Sequence, residues 1–154
     1  MEPGTADVRT LHAKLWKLIE GDKITIRHNA RCTSPDPTEY GFFHPDLYGF
    51  GPAIQLWRTR FDVVDDYAQE LVTLAHEYGH ALSHRRGERP RTEMPAPSPD
   101  LHENEKDIIQ AEEARAWQYG RALLENLSGG VYDFALFNTR KREGDEGYAT
   151  RLGR

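Results

Sequence analysis

The stretch that decides the fold is "LVTLAHEYGHALSH", Leu71 to His84, in which His76, His80 and His84 recur every four residues and Glu77 follows the first. Leu71, Leu74, Ala75, Tyr78 and Leu82 fall at helical spacing, which predicts an amphipathic helix from about Asp62 or Asp65 to His84. Aspartates near its start suit the positive end of a helix. Residues four apart lie one turn apart on one face, so His76 and His80 can grip a single tetrahedral Zn²⁺. Glu77, on the adjoining flank, can reach a water activated by that ion. This is the HExxH pattern, here "HEYGH".

His84 continues the same face, but each four-residue step advances about 6 Å along the axis, too far for three such histidines to share one ion. A third histidine six positions after the second would mark a metzincin, and Arg86 stands there instead. The third ligand must therefore come from elsewhere, and a glutamate on a later helix is the known alternative. Gly79 inside the helix costs about 1 kcal/mol against Ala, so its presence asks for a neighbour that approaches closely.

"NEKDIIQAEEARAWQYGRALLENLSGG" supplies the later helix, with Ile108, Ile109, Ala116, Tyr119, Leu123 and Leu127 at helical spacing and a stop at Gly129-Gly130. Either Glu112 or Glu113 can serve as ligand. Ala116 and Gly120, one and two turns further on, would let this helix pack tightly on the histidine helix.

Upstream, "ADVRTLHAKLWKLIEGD" predicts a helix capped by Asp7 and stopped by Gly21, and "KITIRH" a strand carrying Ile24 and Ile26. A Pro- and Gly-rich loop, Ser34 to Pro52, holds the aromatics Tyr40, Phe42, Phe43, Tyr48 and Phe50, which either line a cleft or pack on the sheet. "AIQLWRT" predicts a second strand over Ala53 to Thr59. As an exposed sheet edge it would take an added extended peptide, placing Ile54 and Leu56 beside the substrate. Residue type qualifies Tyr119, Tyr132, His44 and His84 as oxyanion stabilisers, with Tyr119 and His44 also as substrate contacts. "RRGERPRTEMPAPSPD", with four of the nine prolines, is an irregular connector, and residues from about 141 to 154 read as a loosely held tail.

The 154 residues suit a single domain, and 38% hydrophobic content suits a folded one. A formal charge of −5 provides no basic footprint, so direct nucleic-acid binding is not expected. No apolar run approaches the length of a membrane span and the N-terminus lacks a signal-peptide pattern, while the lone Cys32 suits a reducing compartment. A cytoplasmic protein without membrane partners is the expectation.

"LAHEYGHALSH" followed by "EARAWQYGRALL" resembles the ImmA/IrrE family of zinc metallopeptidases, whose pattern is roughly HExGHxxxH and later ExxANxFAxxLL. The likeness runs from Gly51 to Leu124. Glu113 matches the family's glutamate ligand, Ala116 its alanine, Tyr119 its aromatic, and Leu123 and Leu124 its paired apolar residues. The resemblance implies a compact α+β, zincin-like domain of gluzincin type, with a small mixed or antiparallel sheet against the HExxH helix and a second, ligand-bearing helix. It implies one Zn²⁺ held by His76, His80 and Glu113, with Glu77 as general base. The implied activity is intracellular peptidase action on a particular protein, such as a transcriptional repressor. Trp117 departs from the family's Asn or Asp, a residue placed to orient a ligand histidine, and Glu125-Asn126 replaces its Met-Pro. Two other classes fit the same residues: a catalytically silent zincin-fold module that senses metal or binds protein, and a zinc hydrolase of a small amide whose aromatic loop closes a pocket.

Overall fold

Asp7 opens the first helix, α1 (Val8–Gly21), by accepting a hydrogen bond from the Arg9 amide at 3.0 Å. The computed structural model describes residues 7–29, 40–46, 49–57, 66–89 and 94–154. Leu11, Leu15 and Ile19 form the buried face of α1. Lys23, at φ 63°, turns the chain into strand β1 (Thr25–Asn29). Strands β2 (Gly41–His44) and β3 (Ala53–Trp57) follow, then helices α2 (Asp66–Arg85), α3 (Glu103–Leu127) and α4 (Ala135–Arg151). The sheet is mixed: β3 lies in the centre, parallel to β1 and antiparallel to β2. Among the described residues, four helices and a three-stranded mixed sheet make an α+β fold, and no helix is long and apolar enough to cross a membrane.

Three expectations need correction. The strand beginning at Ala53 is not an exposed edge, because β1 and β2 occupy both its sides and the side chains of Ile54 and Leu56 are fully buried. The edge positions belong to β1 and to β2, and β2 arises inside the stretch read as loop. Finally, residues 141–151 are the second half of α4, and Leu152 beyond them is fully buried, so this segment is docked. Cys32, Tyr48, the strand end at residues 58 and 59, and the helix start at Asp62 or Asp65 lie outside the described residues.

Helix α2 is the centre of the core. Leu71, Val72, Leu74, Ala75 and Tyr78 are buried among α1, the sheet and α3. Its contact with α3 is a backbone approach: a Cβ on Gly79 would stand 2.1 Å from the Ala116 carbonyl oxygen, and one on Gly120 would stand 2.8 Å from that of Ala75. Two small residues on each helix thus meet reciprocally, which explains the glycine in the middle of α2. Gly79→Ala is expected to force the helices apart, destabilising the fold by about 2 kcal/mol or more and weakening metal uptake, measured by thermal melting and metal titration.

Glu70 joins three elements. Its carboxylate accepts from His12 Nε2 of α1 at 2.5 Å and from His28 Nε2 of β1 at 2.6 Å. Burial opposes its ionisation, but these bonds and the two imidazoles outweigh it and hold Glu70 down at about 2. A carboxylate depressed below its unfolded value near 4.5 contributes stability that is present above that value and lost as pH falls towards 2. The stability difference between wild type and Glu70→Gln is therefore expected to be greatest near neutral pH and to shrink between about pH 4.5 and 2, read by denaturant melts across that range.

Candidate metal centre

His76 and His80 project from α2 and Glu113 from α3, and one ligand atom from each lies within 4.8 Å of the others. His76 Nε2 is 3.1 Å from Glu113 Oε2, and His80 Nε2 is 3.0 Å from Glu113 Oε1. Two imidazole nitrogens and a carboxylate oxygen, convergent and largely shielded from solvent, form a donor set that fits a divalent transition-metal ion.

The choice between the adjacent glutamates, open in the sequence, is made by helix geometry. Consecutive helical residues point about 100° apart. Glu113 faces the two Nε2 atoms, while Glu112 passes behind His80 and accepts from its Nδ1 at 2.6 Å. Ser83 Oγ donates to Glu112 at 2.6 Å and Arg115 Nη2 at 3.3 Å, so this carboxylate is itself anchored. An Nδ1 proton committed to Glu112 leaves His80 Nε2 directed at the centre.

Trp117 does something different from the Asn or Asp of the resembled pattern. Its ring stacks on His76, with centroids 4.0 Å apart and planes at 28°, and Phe137 meets it edge-on at 5.2 Å. His76 Nδ1 is buried with no hydrogen-bond partner among the described residues. One candidate ligand histidine is thus oriented by a carboxylate, the other by an aromatic plane.

Electrostatics follow from burial and crowding. Burial disfavours the His80 imidazolium, yet Glu113 and Glu112 outweigh it and raise His80 to about 10. At His76 burial prevails over Glu113 and the group is pushed down. Glu113 is held well below the usual carboxylate range, the two imidazoles overcoming the cost of burial.

The centre opens on a cleft of about 180 Å³. Its walls come from Tyr40 to Phe43 on and beside β2, from α2 with Glu77, from the connector residues Met94, Pro95 and Pro97, from α3, and from α4. Of the loop aromatics, Tyr40, Phe42 and Phe43 line this cleft, whereas Phe50 is exposed.

Several candidates lie elsewhere. Ile54 and Leu56 are core residues. His44, at the end of β2, accepts from the Asp46 amide at 3.1 Å and does not line the cleft. The Tyr119 hydroxyl donates to Glu88 and its ring lies under Arg86 at 4.8 Å, away from the cleft. His84 packs at 6.2 Å from Phe43 and is not among the three donors. Tyr132 meets Phe134 edge-on, its hydroxyl pushed up to about 12 chiefly by burial.

What sequence reasoning missed is α4. Arg140, Gly144, Tyr148 and Arg151 all line the cleft, spaced four, four and three residues apart. That stripe is helical but mostly polar, so a search for apolar periodicity passes over it. Burial pushes the Tyr148 hydroxyl well above its usual range, and the nearby Glu113 and Glu77 carboxylates add to the effect.

Comparison with protein-family models, with curated proteins and with solved structures finds no match to this chain. The geometry must therefore speak for the site. Glu113→Ala is expected to abolish stoichiometric zinc binding, whereas Glu112→Gln is expected to retain the ion with about 10- to 100-fold weaker affinity, measured by competition with a chelating dye. Equal affinity in wild type and Glu113→Ala would remove Glu113 from the ligand set.

Proposed function

We propose that this chain is a zinc-dependent metallopeptidase, similar to the ImmA/IrrE family, that hydrolyses a peptide bond in a specific intracellular protein. The observation that carries this reading is the convergence of His76, His80 and Glu113 in one cleft with Glu77. His76, His80 and Glu113 would hold Zn²⁺, which when bound would polarise the scissile carbonyl and the attacking water. Glu77 takes the proton of that water and passes it to the leaving nitrogen. Glu112 keeps the His80 Nδ1 proton in place throughout, and Trp117 keeps the His76 ring in its plane.

Tyr148 replaces the earlier candidates for stabilising the carbonyl oxygen as it gains negative charge. Its hydroxyl remains protonated through the physiological range because burial and two carboxylates oppose ionisation, and it stands in the cleft as a donor. The outer edge of β2 has no strand partner among the described residues, and β2 lines the cleft. An extended substrate segment adds to that edge and lies beside the centre. A transcriptional repressor is the target class that the sequence resemblance suggests.

Glu77→Gln should retain zinc while its turnover of an unfolded protein such as casein falls by about 10²-fold or more, followed by fragment release and metal analysis. Wild-type turnover in that variant would exclude Glu77 as the base.

A further inference from the structure

The cleft over the candidate metal centre has a volume of about 180 Å³, whereas clefts that take drug-sized ligands run to about 300–1,000 Å³. A polypeptide asks for more, since four extended residues already span about 13 Å. A cleft of this size must widen to admit one. Most of its walls are fastened. Helices α2 and α3 meet backbone to backbone at Gly79 and Ala116, β2 is paired along its length with β3, and Arg140 ties α4 to Gln69 and Thr73 of α2.

The wall supplied by Met94, Pro95 and Pro97 of the connector is held differently. Among the described residues no backbone–backbone hydrogen bond reaches residues 94–97. The anchors stand to either side. Before the segment, the Glu88 amide donates to the Ser83 carbonyl oxygen at 3.0 Å and the Glu88 carbonyl accepts from Arg115 at 3.4 Å. After it, Ser98 Oγ accepts from the Asp100 amide at 3.1 Å, and a Cβ on Gly153 would stand 2.9 Å from Pro99 Cβ.

The sequence of the segment suits a part that stays undocked from its neighbours. Pro95, Pro97 and Pro99 alternate, and alternate residues of an extended run present their amides to one edge, so that edge can donate nothing to a strand such as β2. Met94 and Ala96 each precede a proline and are thereby confined to extended conformations. The segment is stiff, tethered at both ends, and free of ladder bonds between them.

We infer that residues 94–97 form a strap that partly fills the substrate cleft and swings out to admit a polypeptide, so that the connector gates access to the centre. The inference rests on the peptidase reading above for the nature of the substrate. Displacing the strap gives up side-chain contacts, whereas moving any other wall breaks hydrogen bonds or backbone packing.

The test loosens the strap without altering a side chain that lines the cleft. Ala96→Gly/Ser98→Gly keeps Met94, Pro95 and Pro97 in place, and glycine favours the undocked chain by widening its conformational freedom. In the metal-free full chain, modification of His76 by diethyl pyrocarbonate, followed by peptide mass spectrometry, is expected to quicken about threefold or more. His12, buried against Glu70 outside the cleft, should keep its wild-type rate. Met94→Gly/Pro95→Gly/Pro97→Gly, which also removes the lining side chains, should quicken His76 modification about tenfold or more.

An unchanged His76 rate in both variants would overturn the strap. A rise confined to the triple variant reveals a fixed wall, and a parallel rise at His12 reveals general loosening; either counts against the gate. The peptidase reading is judged separately with zinc-loaded wild type and casein. Casein left intact, alongside faster His76 modification in both variants, counts against peptidase activity and leaves the strap standing. Cleavage with an unchanged His76 rate does the reverse.

Discussion

The contact on which the structure turns is the approach of α2 to α3 at Gly79 and Ala116. Helices packed through ordinary side chains sit 8–10 Å apart, and a glutamate on one would then have to stretch to reach two histidines on the other. Here backbone meets backbone: the Ala116 carbonyl fills the place a Gly79 side chain would take, and Ala75 stands likewise over Gly120. With the two axes this close, Glu113 reaches both Nε2 atoms at once. The one wasteful residue in α2, a glycine in a helix interior, is what permits the donor set.

Proximity alone does not fix three side chains, each with rotamers to lose. The surrounding residues restrict that freedom by different means. Glu112 reads the far nitrogen of His80 and is anchored by Ser83 and Arg115; Trp117 restrains His76 by ring contact and is backed by Phe137. The second arrangement ties the centre to α4, because Phe137 belongs to that helix and Gly144 lies 3.5 Å from the Trp117 ring when considered from the position of its missing Cβ. The last helix thereby backs, through Trp117, the ring of a candidate ligand histidine.

The candidate ligand residues were legible in the sequence because each sits on a strongly periodic helix, and the small residues Gly79, Ala116 and Gly120 announced the helix pair that brings them together. The sheet was less legible for a physical reason. Alternation marks a strand with one wet face, but Ala53, Ile54, Gln55 and Leu56 are all buried, so nothing in that run distinguished a central strand from an edge. In β2, Phe42 and Phe43 point to opposite sides, one towards partial exposure and one into the core, and two adjacent aromatics conceal the period. The polar cleft-facing stripe of α4 carried no apolar rhythm to read. Spacing left the glutamate pair open, since adjacent residues of one type differ by direction alone; the motif resemblance pointed to Glu113, the one that faces the two histidines.

Arg140 has a mechanical consequence for the cleft. A single guanidinium bonds two residues of α2 and lies against Tyr40 beside β2, while its own backbone belongs to α4. Floor, edge and wall are thus fastened at one point. Sliding α4 outward would strip the hydrogen bonds to Gln69 and Thr73 together with the ring contact, so displacing that helix costs all three at once.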